Sequence, residues 1–424
     1  MQLPSYWKVV KLGEVAKIER GKFTHRPRND PDFYGGDIPF IQTGDVTASN
    51  GRIKNYLQTL NEKGLSVSKI FPKGTIVITI AANIGYTGLL EFDSAFPDSL
   101  IGITPTNETI HIDNEYLNYY LWTQQPEMDR QAPRGTQKNI NIQFLHPWLV
   151  VIPPLPEQRA IAHILRTIQK AKEARQRELE LERERKATLM QYLFTYGTRN
   201  EPRKQTEIGE IPKSWQVVRL GKLCLNGLGI IQTGPFGSQL HASDYKSTGI
   251  PVVNPTNLGF NFIVEDSIPC ISREKADSLS KHYLIEGDIL ISRRGDFSRY
   301  SYISKKYSGW FCGTGCLLIR LNTPEVNNYF LSILISTEFS QNYLKQNSVG
   351  SIMPNLNTQI IQDLPLKLPE LTEQREIANI LRACTRKIAA LEREAATLDE
   401  LFRAMLVELM TGRLPTQPLI EKEN

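Results

Sequence analysis

The sequence predicts an α/β (α+β) protein with an internal pseudo-two-fold repeat. Two similar globular domains are separated and joined by two long antiparallel coiled-coil helices. Three observations carry this. Residues 155–166, LPEQRAIAHILR, return at 371–382 as LTEQREIANILR, with nine of twelve positions identical. Behind each copy runs a stretch of about 39 residues without Gly or Pro. The remainder holds short β-branched runs bounded by Gly, Pro, Asn and Asp, which is how strands and their turns read.

The predicted order is a first globular domain at 1–151, a long helix at 152–197, a second domain at 198–368, a second long helix at 369–412 and a tail at 413–424. The domains are copies. PSYWKVVKLG at 4–13 returns as PKSWQVVRLG at 212–221, and IPFIQTGDV at 38–46 returns as IPVVNPTNL at 250–258. FPKGTIVITI at 71–80 resembles LIEGDILISR at 284–293, although the first copy lacks the Gly-Asp of the second. GTQKNINIQFL at 135–145 resembles GSIMPNLNTQIIQDL at 350–364. The offset drifts from 208 to 216, as small loop insertions would produce. Solenoid repeats have periods of about 20–50 residues, so this repeat is a domain plus an appendage. Within each domain one late segment has helical spacing, at 114–123 and 327–340, and packs on a sheet.

The first appendage opens at Pro156, where a missing N–H costs nothing, and closes before Gly197 and Pro202. The second closes before Gly412 and Pro415. At 1.5 Å per residue each helix would be roughly 58 Å long, well beyond ordinary globular length. In the second helix Ile377, Leu381, Cys384, Ile388, Leu391, Ala395, Leu398, Phe402, Met405 and Leu409 alternate spacings of four and three, the seam of a coiled coil. The first has Ile161, Leu165 and Ile168 at one end and Leu189 and Leu193 at the other, with Lys172, Arg175, Glu182 and Lys186 between. The two helices are therefore expected to pack on each other. The simpler alternative is that each packs on its own domain. The charged middle, RELELERERK at 177–186, reads as a solvated face, with a docking surface as the other reading.

Composition narrows the function. Hydrophobic residues make up 40% and charged residues 22%, with a net charge of +5 that permits contact with nucleic acid without requiring it. No apolar run is long enough for a membrane span, and the N-terminus lacks a signal-peptide pattern, so a cytoplasmic location and no membrane partner are expected. The five cysteines form no disulfide framework, and Cys312 and Cys316 read as small residues of a Gly-rich strand region, not a zinc site. No phosphate-binding loop, nucleophile elbow or His-Glu-x-x-His helix is present. Asn29-Asp-Pro-Asp-Phe-Tyr34 lacks the second proline of an amino-methyltransferase motif. Pro31-Asp32 and Pro97-Asp98 lack the Glu-x-Lys of a nuclease. The six histidines form no ligand set, and His25, His241 and His282 read as surface or loop residues. No catalytic residue and no metal ligand is assigned.

Four loops instead combine Gly with basic and amide side chains. They contain Arg20, Lys22, Arg26 and Arg28; Arg134, Thr136, Gln137, Lys138 and Asn139; Gln232 and Ser238; and Arg293, Arg294 and Arg299. Gly lets a backbone approach phosphates closely, while Arg, Lys, Asn and Gln reach phosphates or base edges. A solvated turn has the same composition, so the weight lies in finding four such loops in two related domains.

Taken together, the duplicated Glu-Gln-Arg helix starts at 157–159 and 373–375, the Trp-x-Val-Val-x-Leu-Gly openings at 7–13 and 215–221, GDILISRRG at 287–295 and GTQKNIN at 135–141 resemble the specificity subunit of a type I restriction–modification enzyme. The resemblance covers essentially the whole chain. It implies a subunit without catalytic activity. Each target-recognition domain would read one half of an asymmetric, bipartite site in double-stranded DNA, with the coiled coil setting the spacer. Two adenine-methyltransferase (modification) subunits, and through them restriction subunits, would be its partners. No cofactor would bind this chain; S-adenosylmethionine, ATP and magnesium would belong to the partners. The competing readings are a self-contained DNA methyltransferase or endonuclease with an unrecognised catalytic motif, and a structural adaptor that does not touch DNA. The repeated Glu-Gln-Arg, charged and in the first turn, is expected to fix the junction of domain and helix rather than to read DNA.

Overall fold

The computed structural model describes residues 3–106, 110–133, 138–350 and 354–416. The chain forms two compact units, 1–177 with 393–424, and 178–392. Each unit therefore holds one globular domain, one end of the first long helix and one end of the second.

The two domains share a strand order. In the first unit a sheet runs Ala16–Arg20, Leu100–Pro105, Ile76–Thr79, Thr87–Leu90, Arg52–Ile53. In the second unit it runs Gly229–Thr233, Cys316–Leu321, Ile289–Ser292, Tyr300–Tyr302. The β-branched runs form the central strands because both faces are covered; Ile76–Thr79 and Ile289–Ser292 are buried throughout. A short two-stranded ribbon closes each domain, pairing Lys8–Lys11 with Leu149–Ile152 and Gln216–Arg219 with Pro365–Leu368. The ribbon returns the chain to its starting point just before each long helix.

Gly74 (φ +86°) occupies the place of Gly287 (φ +95°), so the first copy does not lack the turn glycine. What differs is the next residue. In the second domain Asp288, fully buried, pairs with Arg320 at 2.6 Å, and that contact raises the guanidinium pKa against the opposing effect of burial. In the first domain Thr75 and Thr104 stand at the same two strand positions and share a hydrogen bond of 3.4 Å. A neutral pair has replaced an ionic one.

The late helical segments depart from expectation in two ways. The first extends through Pro126 to give Asn114–Gln131, because losing one backbone bond is offset by burying Met128 in the next turn. The second is broken into Asn328–Ile335 and Glu338–Asn347, because the Thr337 side chain caps the second piece by accepting from the Ser340 backbone N–H.

The long helices span Leu155–Tyr196 and Leu371–Met410. They pack together, and each end also packs on a domain. In the first unit Ile161, Leu165, Phe402 and Leu409 are buried in one cluster with Trp7, Tyr116 and Tyr119, and Ile168 and Met405 lie against it. In the second unit Leu193, Ile377 and Leu381 join Trp215 and Phe330, with Leu189 against them. Leu391 is buried, and Ile388 and Leu398 are half-buried. The two packing readings of the sequence are thus both realised.

The charged middle is not simply a solvated face. Lys172 pairs with Asp399, and Arg175 with Glu394 at 2.9 Å, within the first unit. Within the second, Lys387 lies 3.3 Å from both Glu178 and Glu182, and Arg183 2.6 Å from Glu392. In the first unit the partner number falls from 399 to 394 as the first helix advances from 172 to 175, which makes the pairing antiparallel. Glu182 is buried despite its charge, and burial lowers the pKa of neighbouring Lys186. Residues such as Arg177, Glu180 and Glu184 do face solvent.

Candidate nucleic-acid interface

Strand register brings the predicted loops together in pairs. In the first domain Arg20 lies opposite Ile101, and Leu100 opposite Thr79, so one edge of the sheet emits the loops after Arg20 and Thr79. A bridge between Ala81 and Asn139 adds the loop of Lys138 and Asn139 to that edge. In the second domain Thr233 lies opposite Leu317, and Ser292 opposite Cys316. The loops of Gln232, Ser238, Arg293 and Arg294 therefore leave the corresponding edge. A bridge between Arg294 and Asn355 stands where Ala81 meets Asn139.

Both edges depend on close backbone approach. A Cβ on Gly21 would stand 2.3 Å from the Pro97 carbonyl oxygen, and one on Gly234 1.9 Å from that of Gly313. Any side chain there would push the first loop off the sheet edge.

The first edge is organised by Asp98. Arg20 Nε donates to its backbone carbonyl at 2.6 Å, Arg26 Nη2 reaches its carboxylate at 3.3 Å, and Arg28 pairs with the other carboxylate oxygen. Arg26 also donates to the carbonyls of Phe23 and His25. Two exposed arginines share one carboxylate and a third is held on the same residue's carbonyl, which leaves excess positive charge in a fixed arrangement. Lys22 is exposed beside them, and Asn139 is exposed across the edge. Lys138 is tied to Asp129 at 2.8 Å. Arg134, Thr136 and Gln137 lie outside the described residues.

In the second domain Arg293 is half-buried. Its Nε donates to Asn355 at 3.1 Å and to the Leu356 carbonyl at 3.2 Å, and burial followed by the Arg294 charge lowers its pKa. That makes it a loop anchor as much as a contact. Arg294 is exposed, and Arg299 is partly neutralised by Asp296 at 3.5 Å. Gln232 donates to the Lys281 carbonyl at 2.7 Å, and Ser238 is exposed.

His282 corrects the reading of it as a surface residue. It is buried beside Phe311, and burial, then Lys281, lowers its pKa to about 4. Neither ring nitrogen has a hydrogen-bond partner. Its flanking residues are polar or mixed, so only tertiary packing reveals its position.

The junctions are equally regular. Glu157 and Glu373 are buried and accept from the indoles of Trp7 and Trp215. Gln158 accepts from the Asp113 backbone and donates to the carbonyls of His111 and Pro153. Gln374 repeats this with Asn327, Glu325 and Pro369. Every polar atom of the two glutamine side chains is used inside the protein, so neither can read a base.

Two repeated domains, each offering a cationic loop edge and each closed by a long helix, define a tandem recognition protein. Among the described residues no group of three or more His, Cys, Asp or Glu could hold a metal ion, and no helix is long and apolar enough to cross a membrane. A family model described as "Type I restriction modification DNA specificity domain" matches residues 4–183 and 212–400. The chain belongs to that family: it is a type I specificity subunit, a recognition component and not an enzyme. It is 21% identical over 438 residues to the type I restriction enzyme MjaVIII specificity subunit of Methanocaldococcus jannaschii, covering 99% of this chain and 95% of that protein. It resembles the crystal structure of the type I S subunit from M. genitalium, with a TM-score of 0.63 and 16% identity, over 96% of this chain and 98% of that one. A chain from a study of complex assembly and conformational transition in the type I system matches at TM-score 0.54 and 19% identity, over 98% and 100%. At these identities the structural matches speak for the fold.

Proposed function

We propose that the domains at 1–151 and 198–368 are target-recognition domains, each reading one half of a bipartite, asymmetric site in double-stranded DNA. The helices at 152–197 and 369–412 would set the spacer, with 413–424 as a tail. The observation that carries this is the pairing of basic and amide loops on corresponding edges of two sheets with the same strand order. On the first edge Arg20, Lys22, Arg26, Arg28, Lys138 and Asn139 meet DNA; Arg134, Thr136 and Gln137, outside the described residues, are assigned to the same contact from the sequence. On the second, Gln232, Ser238, Arg294 and Arg299 do so, with Arg293 anchoring the loop. Because the two sets differ, the half-sites differ.

The long helices scaffold two adenine-methyltransferase subunits and, through them, restriction subunits in the cytoplasm. S-adenosylmethionine, ATP and magnesium belong to those partners. The target adenine is extruded into a partner's pocket, since a stacked base is out of reach.

The test is an insertion of four residues within one long helix of the assembled complex, a length of about 6 Å, followed by mapping of the methylated sites. A longer spacer between unchanged half-sites is expected. Altered half-sites would defeat the assignment, and methylation by this chain alone would favour a self-contained enzyme.

A further inference from the structure

We propose that Phe260 is an apolar wedge that inserts against a base step of the second half-site; the inference rests on the DNA-reading role proposed above. Residues 259–262, GFNF, run along the outer edge of the second sheet, where Phe260 bridges Tyr300. Four hydrogen bonds hold this short segment. Gly259 N–H donates to the Phe262 carbonyl at 2.9 Å, Asn261 N–H to the Tyr300 carbonyl at 2.8 Å, and Tyr300 N–H to the Gly259 carbonyl at 3.0 Å. The Tyr302 N–H donates to the Asn261 side chain at 2.9 Å. Asn261 takes φ +69°, which reverses the chain between the two phenylalanines. Phe262 folds back over Gly259, where a Cβ would stand 2.4 Å from its ring. Phe260 is not folded over the turn in this way and is 67% exposed, against 54% for Phe262.

Its surroundings identify the occupant. Tyr300 follows Arg299, and the Arg299 carbonyl accepts from Ser292, the residue before Arg293 and Arg294. The ring thus stands at the corner where the outer strand meets the cationic loop, in which Asp296 is the acidic member and already pairs with Arg299. A rigid aromatic ring flanked by exposed arginine suits a nucleic acid: the cations neutralise phosphates while the ring stacks on an exposed base face. Among the described residues the first domain has no such ring at this place. There the edge strand pairs Arg52 with Leu89, and that parallel register, followed back, sets Asn50 beside Thr87, which lies opposite Ile78 as Tyr300 lies opposite Ile291. The wedge is therefore a property of the second half-site alone, and the bend it introduces is one-sided.

The experiment uses the full chain assembled with its modification subunits, and duplexes bearing the mapped recognition site with 2-aminopurine placed at successive positions. Wild-type complex should brighten the probe at one step of the second half-site. Phe260→Ala should abolish that brightening and weaken specific binding about tenfold while leaving the salt dependence unchanged. Phe260→Trp should keep both. Arg294→Ala should instead reduce the salt slope by about one. If Phe260→Ala binds as tightly as wild type and no position brightens in either complex, the wedge is overturned while DNA reading stands. If Phe260→Ala instead loses its modification subunits, the ring is a protein contact and the wedge is again overturned. If no complex binds DNA, the reading beneath the proposal fails with it.

Discussion

The indole N–H of Trp215 donates to a carboxylate oxygen of Glu373 at 3.1 Å, across 158 residues of chain. The other oxygen of Glu373 accepts from the Thr198 backbone at 2.7 Å, where the first long helix has just ended. One buried carboxylate therefore ties the domain opening, the end of the first helix and the start of the second. Among the described residues its counterpart Glu157 holds Trp7 alone, at 3.2 Å.

Glu373→Ala should destabilise the second unit by about 2–4 kcal/mol, since it strands the buried Trp215 indole and the half-buried Thr198 N–H. Glu157→Ala should cost less, because it strands one. Gln at either position keeps an acceptor and should fall between wild type and Ala. Chemical denaturation of the full chain reads all four variants, and equal losses for the two alanines would contradict the asymmetry.

The sheet interiors differ by a charge pair. Asp288→Ala leaves Arg320 without its buried partner and should cost about 3–5 kcal/mol. The double change Asp288→Thr with Arg320→Thr installs the arrangement that Thr75 and Thr104 already use, and should recover most of that loss. A double variant no more stable than Asp288→Ala would show that the two sheets tolerate different chemistry at this layer.

These relationships mark the limit of what one sequence reveals. The seam positions of the second helix follow a spacing visible in the chain, and Glu157, Gln158 and the tryptophans stand out because they recur. The gathering of Arg20, Arg26 and Arg28 on Asp98 is invisible beforehand, since a loop of basic residues gives no sign of a carboxylate about 70 positions away. The charged middle of the first helix looks solvated because its complement, Lys387, Glu392, Glu394 and Asp399, lies on another helix. Sequence periodicity reports a face, and the partner of that face is a tertiary fact.

That complementarity should fix the helix register. Lys387→Glu sets a third carboxylate beside Glu178 and Glu182 and should lower the melting temperature. Adding Glu182→Lys should restore part of it, as the charges exchange places. Thermal melts of the two single variants and the double variant give the coupling, and a simple sum of the two single effects would argue against pairing.

His282 should make the second unit acid-sensitive. Its folded pKa of about 4 lies below the ordinary value of 6.5. Above pH 6.5 the ring is neutral in both folded and unfolded chains, and no penalty exists. As pH falls from 6.5 towards 4 the unfolded chain takes up a proton that the folded chain refuses, so stability drops, by an amount on the order of 3 kcal/mol. Below about 4 the slope vanishes. His282→Phe should flatten this segment of the stability profile, measured by denaturation at half-unit pH steps. A variant with the wild-type slope would assign the acid response to other groups.

Asp98 restrains positive charge at the first recognition edge, and its removal separates affinity from discrimination. Asp98→Asn keeps the shape but cancels the charge that Arg26 and Arg28 share. The excess cation should then attract any duplex more strongly, raising binding to a scrambled sequence several-fold and steepening the salt dependence by about one counterion. Binding to the true site should gain less, because arginines no longer held on one carboxylate lose the fixed geometry that base reading requires. The ratio of specific to scrambled affinity therefore falls even as both affinities rise. Titrations of the assembled complex against both duplexes at several salt concentrations measure each quantity. An unchanged slope together with an unchanged ratio would mean that these arginines do not face DNA.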